Sequence, residues 1–364
     1  MYDRRTLLAL GAGTAATLAG CSVVGDSMGG ERTVVDDAGR DVSLPENVGR
    51  VVAVGPGALR QVAYLGATDR VVGVEDGEHD WIRTVPYNMA NPGLRDKPVI
   101  GSAGPNAGGN AEEILSVDPD VIFFYGDNSR AETLQSQTTT PVVSLQITDL
   151  GGKTTRKEIY ETWQLVGEVL GLEGRADDLS TFVEETIDDL QKRTESLSEE
   201  QRAEAYAGAV SYKGAHGLAT TRKRFSPFAY AGADNVASGV RTDSPSVQIS
   251  EERLLDWDPD VIFVDSYNRD RARADLDSAT FEELTAVSEG EVYTLLPHAS
   301  YHHNYGSILA NAYFVGTTLY PDQFSDVDLS ATVDSIFETL LGAALYDDLR
   351  DTYEAYRRLD DQNG

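Results

Sequence analysis

The sequence predicts an α/β protein of two Rossmann-like lobes, joined by one long bridging helix, with a cleft between the lobes. The hexapeptide Asp-Pro-Asp-Val-Ile-Phe occurs twice, at 118–123 and at 258–263. Each copy follows a short amphipathic pattern with apolar positions three or four apart, and each opens an apolar run typical of a buried strand. A third pattern, long and amphipathic, lies between the copies. Two similar halves joined by a helix explain all three observations.

The predicted elements follow in order along the chain. The first lobe, 33–172, holds a hairpin at 33–43, strands at 50–54, 70–74, 121–124 and 141–145, an irregular loop at 81–94 and a helix at 157–170. The bridging helix, 173–198, has Leu179, Val183 and Leu190 on one face. The second lobe, 199–364, holds strands at 203–212, 261–264 and 291–295 and final helices at about 304–320, 330–341 and 347–359.

The charge of the chain is strongly acidic throughout. The formal net charge is −30, from 60 carboxylates against 30 lysines and arginines, and the pI is about 4.4. A surface of this kind repels nucleic acid and anionic lipid headgroups, so we expect no nucleic-acid partner. Apolar periodicity persists along the chain, which excludes a disordered acidic tail. We expect a halophilic protein whose thermal midpoint rises from low to molar salt, because salt screens self-repulsion.

The N-terminus predicts export. Arg4 and Arg5 precede an apolar stretch that is too short to cross a bilayer, and small residues lead to Cys21. We interpret 1–21 as a twin-arginine signal peptide with a lipobox, Cys21 as the lipid anchor, and 22–32 as a flexible tether. Because Cys21 is the chain's single cysteine, no disulfide forms within the mature chain. The protein is predicted to lie outside the cytoplasmic membrane, held on its outer face by lipid.

A glycine-rich turn follows the first strand of the first lobe. Gly55, Pro56 and Gly57, with Glu75 about 20 residues on, invite a dinucleotide-binding interpretation. Arg60 occupies the position of the third glycine, and Pro56 removes a backbone donor, so we reject that interpretation. Open α/β sheets bind ligands at the carboxyl ends of their strands, which makes this turn one wall of a cleft.

Other polar and aromatic residues are predicted to line the same cleft. They either follow predicted strands or lie in the loops beside them: Tyr87, Tyr125, Tyr212, His216, Arg222, Arg224, Tyr267, His298, Tyr301, His302 and His303. Three adjacent cations at 222–224 stand out in so acidic a chain, although a solvated basic run remains an alternative. A hydrolase would need a motif such as His-Glu-x-x-His or Gly-x-Ser-x-Gly, and neither is present. We therefore expect no catalytic residues.

The chain resembles the class III substrate-binding proteins of ABC importers, which take up ferric siderophores, haem and cobalamin. The resemblance rests on the hairpin segment 35–45, the phrases Arg-Val-Val-Ala-Val-Gly and Ala-Thr-Asp-Arg-Val-Val-Gly-Val, and both Pro-Asp-Val-Ile-Phe copies. It implies a monomer without cofactors that delivers its ligand to a transmembrane permease and its ATPase. It also implies that Glu112 and Glu252 dock on the permease; two exposed helix-start carboxylates with no partner are the alternative.

The ligand remains open between several metal-containing molecules. The ring faces of tyrosine and the bidentate guanidinium groups of arginine suit an anionic iron(III) chelate of the siderophore type. The alternatives are cobalamin, haem and a metal ion bound directly. His298, His302 and His303 could coordinate a metal, with His298 and His302 four residues apart as on one face of a helix. They could equally bond to a ligand shell or serve the fold. No acidic residue lies within the histidine cluster in the sequence.

Overall fold

A computed structural model describes residues 31–104, 107–210 and 216–360. Over these residues the protein is two α/β lobes, each built on a four-stranded parallel sheet. Four sequence predictions lie outside the described residues: the signal segment 1–21, Cys21, most of the tether, and Tyr212. Within the described part of the chain, no helix is both long and apolar enough to cross a membrane.

The first lobe begins with the predicted hairpin, β1 (Glu31–Val35) and β2 (Asp41–Pro45), whose turn is closed by the Asp36 carboxylate accepting from Arg40 N. Its sheet has the order β4-β3-β5-β6. The strands are β3 (Val51–Val54), β4 (Val71–Gly73), β5 (Val121–Phe124) and β6 (Val142–Ser144). The helices are α1 (Ala58–Tyr64), α2 (Pro86–Ala90), α3 (Ala111–Ser116), α4 (Asn128–Thr138) and α5 (Lys153–Leu170). All four strands are nearly free of solvent contact, as strands covered on both faces must be.

The long helix α6 (Glu173–Thr194) follows α5 after a left-handed turn at Gly171, and the second lobe follows α6. The second sheet has the order β12-β11-β7-β9, with a small antiparallel pair, β8 and β10, beside it. The strands are β7 (Glu204–Gly208), β8 (Thr220–Thr221), β9 (Asp234–Asn235), β10 (Val247–Gln248), β11 (Val261–Asp265) and β12 (Val292–Leu295). The helices are α7 (Ser226–Ala231), α8 (Glu251–Trp257), α9 (Arg269–Leu276), α10 (Thr285–Ser288), α11 (Tyr305–Leu319), α12 (Leu329–Leu341) and α13 (Tyr346–Tyr353).

The duplicated hexapeptide performs the same structural task in both lobes. Its first residue, Asp118 or Asp258, takes a left-handed conformation that ends α3 or α8. Its third residue ties the new strand to its parallel neighbour. Asp120 N donates to Arg50 O while its carboxylate accepts from Arg50 N; Asp260 N donates to Glu204 O while its carboxylate accepts from Glu204 N. The repeat is therefore a helix-to-strand joint used twice.

The two lobes share one apolar core behind the cleft. Helix α6 packs against α5 of the first lobe and against α7 and α11 of the second. Tyr64 of α1 stacks on Tyr305 of α11 with ring centroids 5.6 Å apart, and its hydroxyl accepts from Tyr305 N. The core cluster includes both rings and the buried face of α6. Such direct packing leaves little freedom for a wide hinge motion.

Several element boundaries differ from the sequence predictions: α5 begins at Lys153, before the predicted 157, and α6 ends at Thr194, before the predicted 198. The segment 81–94 is not irregular throughout, because Pro86 begins a helical turn, α2. Strand β7 ends at Gly208, since Ala209 has a φ of +53°. The last helix ends at Tyr353, where Glu354 turns left-handed. The chain after it runs back along β12, with Thr294 N donating to Arg357 O, and that pairing replaces further helix.

Candidate ligand-binding site between the lobes

Polar loops from both lobes meet where their strands end, as the sequence predicts for opposed α/β sheets. The first lobe contributes the loop 55–57 after β3, Glu75 after β4, Tyr125 after β5 and Asp149 after β6. The second lobe contributes Arg222 after β8 and the loop 297–304 after β12. This meeting of loops is the candidate site.

The glycine-rich loop is shaped by close contacts on two sides. Gly55 has a φ of +100°, and a Cβ added there would lie 2.0 Å from Tyr125 O. Gly57 has a φ of +84°, and a Cβ there would lie 2.9 Å from His302 Cβ in the other lobe. Tyr125 lies beside the same ring, with its hydroxyl 3.3 Å from His302 Nε2. Glycine is therefore needed for both backbone conformation and interlobe fit.

A second interlobe contact joins Tyr301 to the first lobe. The Tyr301 hydroxyl donates to Glu75 Oε2 at 2.6 Å and accepts from Gly104 N at 3.2 Å. The Trp81 ring meets the Tyr301 ring edge-on at 5.1 Å. Burial raises the pKa of Glu75 to about 7, against the lowering effect of its bonds from Tyr301 and Gly55 N. This carboxyl group therefore titrates near neutral pH.

The histidine loop is not helical. Tyr301 and His302 have φ values of +48° and +92°, a strained conformation for residues with side chains, and α11 begins only at Tyr305. The predicted helical pairing of His298 with His302 is therefore wrong. Arg60 holds the loop in place by donating to His303 O and Ser300 O. The tight turn carries His303 back beside His298, with ring centroids 5.5 Å apart.

Asp149 of the first lobe completes a buried cluster with these two histidines. Its Oδ1 lies 3.3 Å from His298 Nε2 and 3.6 Å from His303 Nδ1, and its Oδ2 lies 3.5 Å from Arg222 Nη1. The sequence analysis found no acidic residue in the histidine cluster. The fold corrects that statement, because Asp149 is brought there from the other lobe. Asp149, His298 and His303 could together hold a metal ion.

Burial governs the charge of the cluster. It lowers the pKa of His298, lowers that of His303 well below the usual value, and lowers that of His302 to about 3. Burial alone would raise the pKa of Asp149, but the two histidines and Arg222 outweigh it and hold this pKa below the usual value. At neutral pH the cluster therefore consists of uncharged rings, one carboxylate and one guanidinium.

A groove of about 960 Å³ opens from Asp149 between the lobes. Its walls come from the start of α5 on one side and from the segment 223–238 on the other. They carry the aromatic rings of Phe225, Phe228 and Tyr230, four cations (Lys153, Arg156, Lys223 and Arg224) and three carboxylates (Asp149, Glu204 and Asp234). The size is within the range of small-molecule sites, which is about 300–1,000 Å³.

The remaining predicted residues differ in how far they are exposed to solvent. Pro56 is half-buried in its loop, and His216 is half-buried ahead of β8. Arg222 is buried in the cluster, whereas Arg224 is exposed on the groove wall. Tyr267, after β11, is 52% exposed. Tyr87 is buried behind the histidine loop, where Arg60 stacks over its ring at 5.1 Å and its hydroxyl donates to Glu78.

Sequence reasoning missed three residues that shape the site. Asp149 follows a short strand in an unremarkable turn, and nothing local connects it to histidines in the other lobe. Arg60 and Glu75 were considered only as evidence for or against dinucleotide binding. A usable signal existed for Arg60, since it is the single charged residue in the otherwise uncharged α1 and such a residue needs buried partners.

Comparison with known proteins shows which family has this arrangement. The chain matches the family described as periplasmic binding protein over residues 51–299, well over half of its length. A molybdate-binding protein, MolA, of Haemophilus influenzae is 26% identical over 338 residues, covering 85% of this chain and 90% of the relative. The molybdate-bound structure of MolA superposes with a TM-score of 0.68 at 21% identity, covering 86% of this chain and 98% of that one, which supports the fold.

Two further relatives bear other names. A Bacillus subtilis protein, YvrC, named as an uncharacterised ABC transporter substrate-binding lipoprotein, is 20% identical over 296 residues, covering 81% of this chain and 87% of the relative. A cobalamin-binding protein of Halobacterium salinarum is 25% identical over 269 residues, covering 71% of this chain and 66% of the relative. The ligands given in these names differ, but all three relatives are named as binding proteins. The chain belongs to the periplasmic binding protein family and is a class III solute-binding protein of an ABC importer, not an enzyme.

Proposed function

We propose that the protein captures a metal chelate of the iron(III)-siderophore type outside the cytoplasmic membrane and delivers it to the permease of an ABC importer. The observation that carries this proposal is the groove that opens from Asp149 between the lobes. It has the volume of a small-molecule site, its walls are aromatic, and one of its lining residues, Asp149, belongs to a cluster able to bind a metal.

The charge of the groove favours an anionic shell around the metal. The whole chain has twice as many carboxylates as cations, yet the groove has four cations and three carboxylates. Arg156 is engaged by Glu184, with its Nε 2.8 Å from Glu184 Oε1. The exposed Lys153 and Arg224 face opposite sides of the groove and are suited to carboxylate or phenolate groups of a chelator.

The carboxylate of Asp149 favours a metal-containing ligand over a bare oxyanion such as molybdate. An oxyanion beside Asp149 Oδ1 would meet a carboxylate flanked by uncharged rings, which costs free energy at short distance, because the Arg222 guanidinium lies at the other oxygen, Oδ2. A metal centre meets the same charge favourably. Cobalamin and haem also contain a metal, so the binding experiment must include them.

Titration of the purified mature protein tests the proposal. The ligands are ferric citrate, a ferric catecholate, cobalamin, haem and molybdate, at one fixed salt concentration at which the protein is folded. Trp81 reports on the cleft, because its ring contacts Tyr301 and it is half-exposed. A Trp81→Phe variant assigns the fluorescence change to this residue. We expect saturable binding of a ferric chelate, and the proposal is wrong if molybdate alone binds.

Charge reversal in the groove tests whether the anionic chelator of the ligand lies against the cations of the groove. The double variant Lys153→Glu, Arg224→Glu should weaken ferric chelate binding by at least about tenfold, because charge-assisted hydrogen bonds contribute roughly 1.5–3 kcal/mol each. The double variant Lys157→Glu, Lys192→Glu is the matched control, since it makes the same charge change at two exposed lysines that do not line the groove. Equal losses in both proteins would mean that only net charge matters, and the groove would not be the site.

The cellular location belongs to the same proposal. The twin arginines and the residues before Cys21 support export and lipid attachment, and a Bacillus relative is named as a lipoprotein. The variant Cys21→Ser should release the protein from cells into the medium. If it stays with the membrane fraction as firmly as the parent, lipid on Cys21 is not the anchor.

A further inference from the structure

Asp149, His298 and His303 lie close to the spacing of metal ligands. An octahedral metal centre with bonds of about 2.0–2.2 Å places neighbouring ligand atoms about 2.8–3.1 Å apart. Asp149 Oδ1 lies 3.3 Å from His298 Nε2 and 3.6 Å from His303 Nδ1, and one ligand atom from each residue lies within 4.8 Å of the others. An octahedral centre therefore needs the carboxylate and the rings to close in by a few tenths of an ångström, and the two rings to approach each other as well.

Some polar atoms of this cluster are buried without hydrogen bonds. Among the described residues, His298 Nδ1 and His303 Nδ1 have no hydrogen-bond partner, and Asp149 Oδ1 has none beyond its 3.3 Å contact with His298 Nε2. His298 is only 2% exposed. Buried polar atoms that lack partners cost roughly 1–3 kcal/mol each, so an arrangement of this kind needs a ligand to offset the cost.

The surroundings hold the carboxylate in an orientation suited to a metal. Arg222 approaches Oδ2 at 3.5 Å, which leaves Oδ1 directed at the rings. Arg60 fixes the loop that carries His303 through its bond to His303 O. His302 directs its Nε2 to the Tyr125 hydroxyl at 3.3 Å, while its ring lies edge-on against that of His303 with centroids 4.7 Å apart. Supporting contacts of this kind orient the ligands in protein metal sites.

We infer that Asp149, His298 and His303 coordinate the metal of the transported chelate directly, as two imidazoles and one carboxylate drawn from both lobes. The inference rests on the proposed function and names its substrate class. Three protein ligands on one face of an octahedron leave three positions for the chelator. The preferred ligand is therefore a chelate with up to three donors on a metal that accepts imidazole. A fully enclosed metal with six chelator donors cannot bind in this way.

Cobalt(II) alone tests the site without a chelator. The metal-free protein should bind one Co²⁺ with the visible absorption of nitrogen coordination. Asp149→Asn and His303→Gln should each weaken binding by at least about tenfold, since loss of even an outer-shell partner costs that much. His79→Gln is the control, because His79 is a surface histidine of the first lobe. X-ray absorption of the parent protein counts the imidazoles without any variant. No stoichiometric binding, or an equal loss in His302→Gln and His303→Gln, overturns the ligand set.

Chelates of one metal and different denticity test the substrate class. Ni²⁺ with tridentate iminodiacetate should bind at least about tenfold more tightly than Ni²⁺ with hexadentate EDTA, and Asp149→Asn should remove the difference. Equal binding of both chelates contradicts direct coordination. If ferric chelates bind the parent and Asp149→Asn equally well, the inference fails while the proposed function stands. If Co²⁺ binds as expected and every ferric chelate fails, the proposed function fails while the metal site stands.

Discussion

Gly57 and Gly66 illustrate two different structural reasons for having glycine at a position. Both have left-handed backbones, with φ values of +84° and +70°. A Cβ at Gly66 would meet nothing within 4 Å, whereas a Cβ at Gly57 would lie 2.9 Å from His302 Cβ across the cleft. Gly66 is therefore kept for its backbone alone, and Gly57 is kept for the backbone and for the approach of the second lobe.

Alanine at these two positions should give different results. Gly66→Ala should cost about 1–2 kcal/mol of unfolding free energy through the backbone and leave ligand affinity unchanged. Gly57→Ala should cost at least as much and should also lower ligand affinity by about tenfold, because the strained His302 loop must move. Denaturant unfolding and ligand titration measure both quantities. If the two variants bind ligand equally well, the interlobe contact does not contribute to the site.

At the scale of elements, the contact between the end of β4 and the loop after β12 should respond to pH. Burial raises the pKa of Glu75 to about 7, so the folded protein keeps a proton that the unfolded chain releases from about pH 4.5 upward. Stability from this group therefore falls as pH rises from about 4.5 to 7 and is constant above that. The buried histidines act in the opposite direction, because they resist protonation as pH falls.

A Glu75→Gln variant isolates the contribution of this carboxyl group. One pKa unit corresponds to 1.36 kcal/mol, so the stability of the variant relative to the parent should rise by about 3 kcal/mol between pH 4.5 and 8. The exposed Glu113→Gln serves as control and should show no such change. Urea unfolding at each pH, in constant salt, gives the difference. A relative stability that stays level over this window would mean that Glu75 is ionised in the folded protein.

On the scale of the whole molecule, the internal repeat places one exposed glutamate at an equivalent position of each lobe. Glu112 and Glu252 are the second residues of α3 and α8, whose helix starts are capped by Asn110 and Ser250. Both helices precede the duplicated hexapeptide, and the binding loops follow the strands at the other end. A partner that contacts both lobes would therefore contact an equivalent carboxylate on each lobe. Docking on the permease through this pair stays a prediction.

Reversal of both glutamates should separate transport from binding. The double variant Glu112→Arg, Glu252→Arg should abolish uptake of labelled ferric chelate by cells, while the purified protein binds the chelate as the parent does. Glu113→Arg with Glu251→Arg is the matched control, with the same charge change one residue away on the same exposed helix starts. Loss of chelate affinity in the first variant, or equal uptake by both variants, would contradict the docking assignment.

Local patterns in the sequence determined the architecture of this protein. Strands β3, β5 and β11, helix α6 and the first hairpin are all found where periodicity and turn chemistry predict them, since each depends on neighbours within a few residues. The duplication then implied two lobes, and strand ends implied where a cleft lies. One boundary differed because a long-range contact decided it, as with the final segment paired to β12, and others differed for local reasons, as at Pro86 and Ala209.

The tertiary structure alone decided the chemistry of the site. Asp149 meets His298 and His303 because β6 and β12 end at the same cleft, and no local pattern connects residues nearly half the chain apart. The left-handed turn at Tyr301 and His302 selects which histidine faces Asp149, and it is held by Arg60 from the other lobe. A backbone conformation that side chains oppose is stable only when surrounding contacts compensate for it. Those contacts exist only after both lobes have folded and packed together.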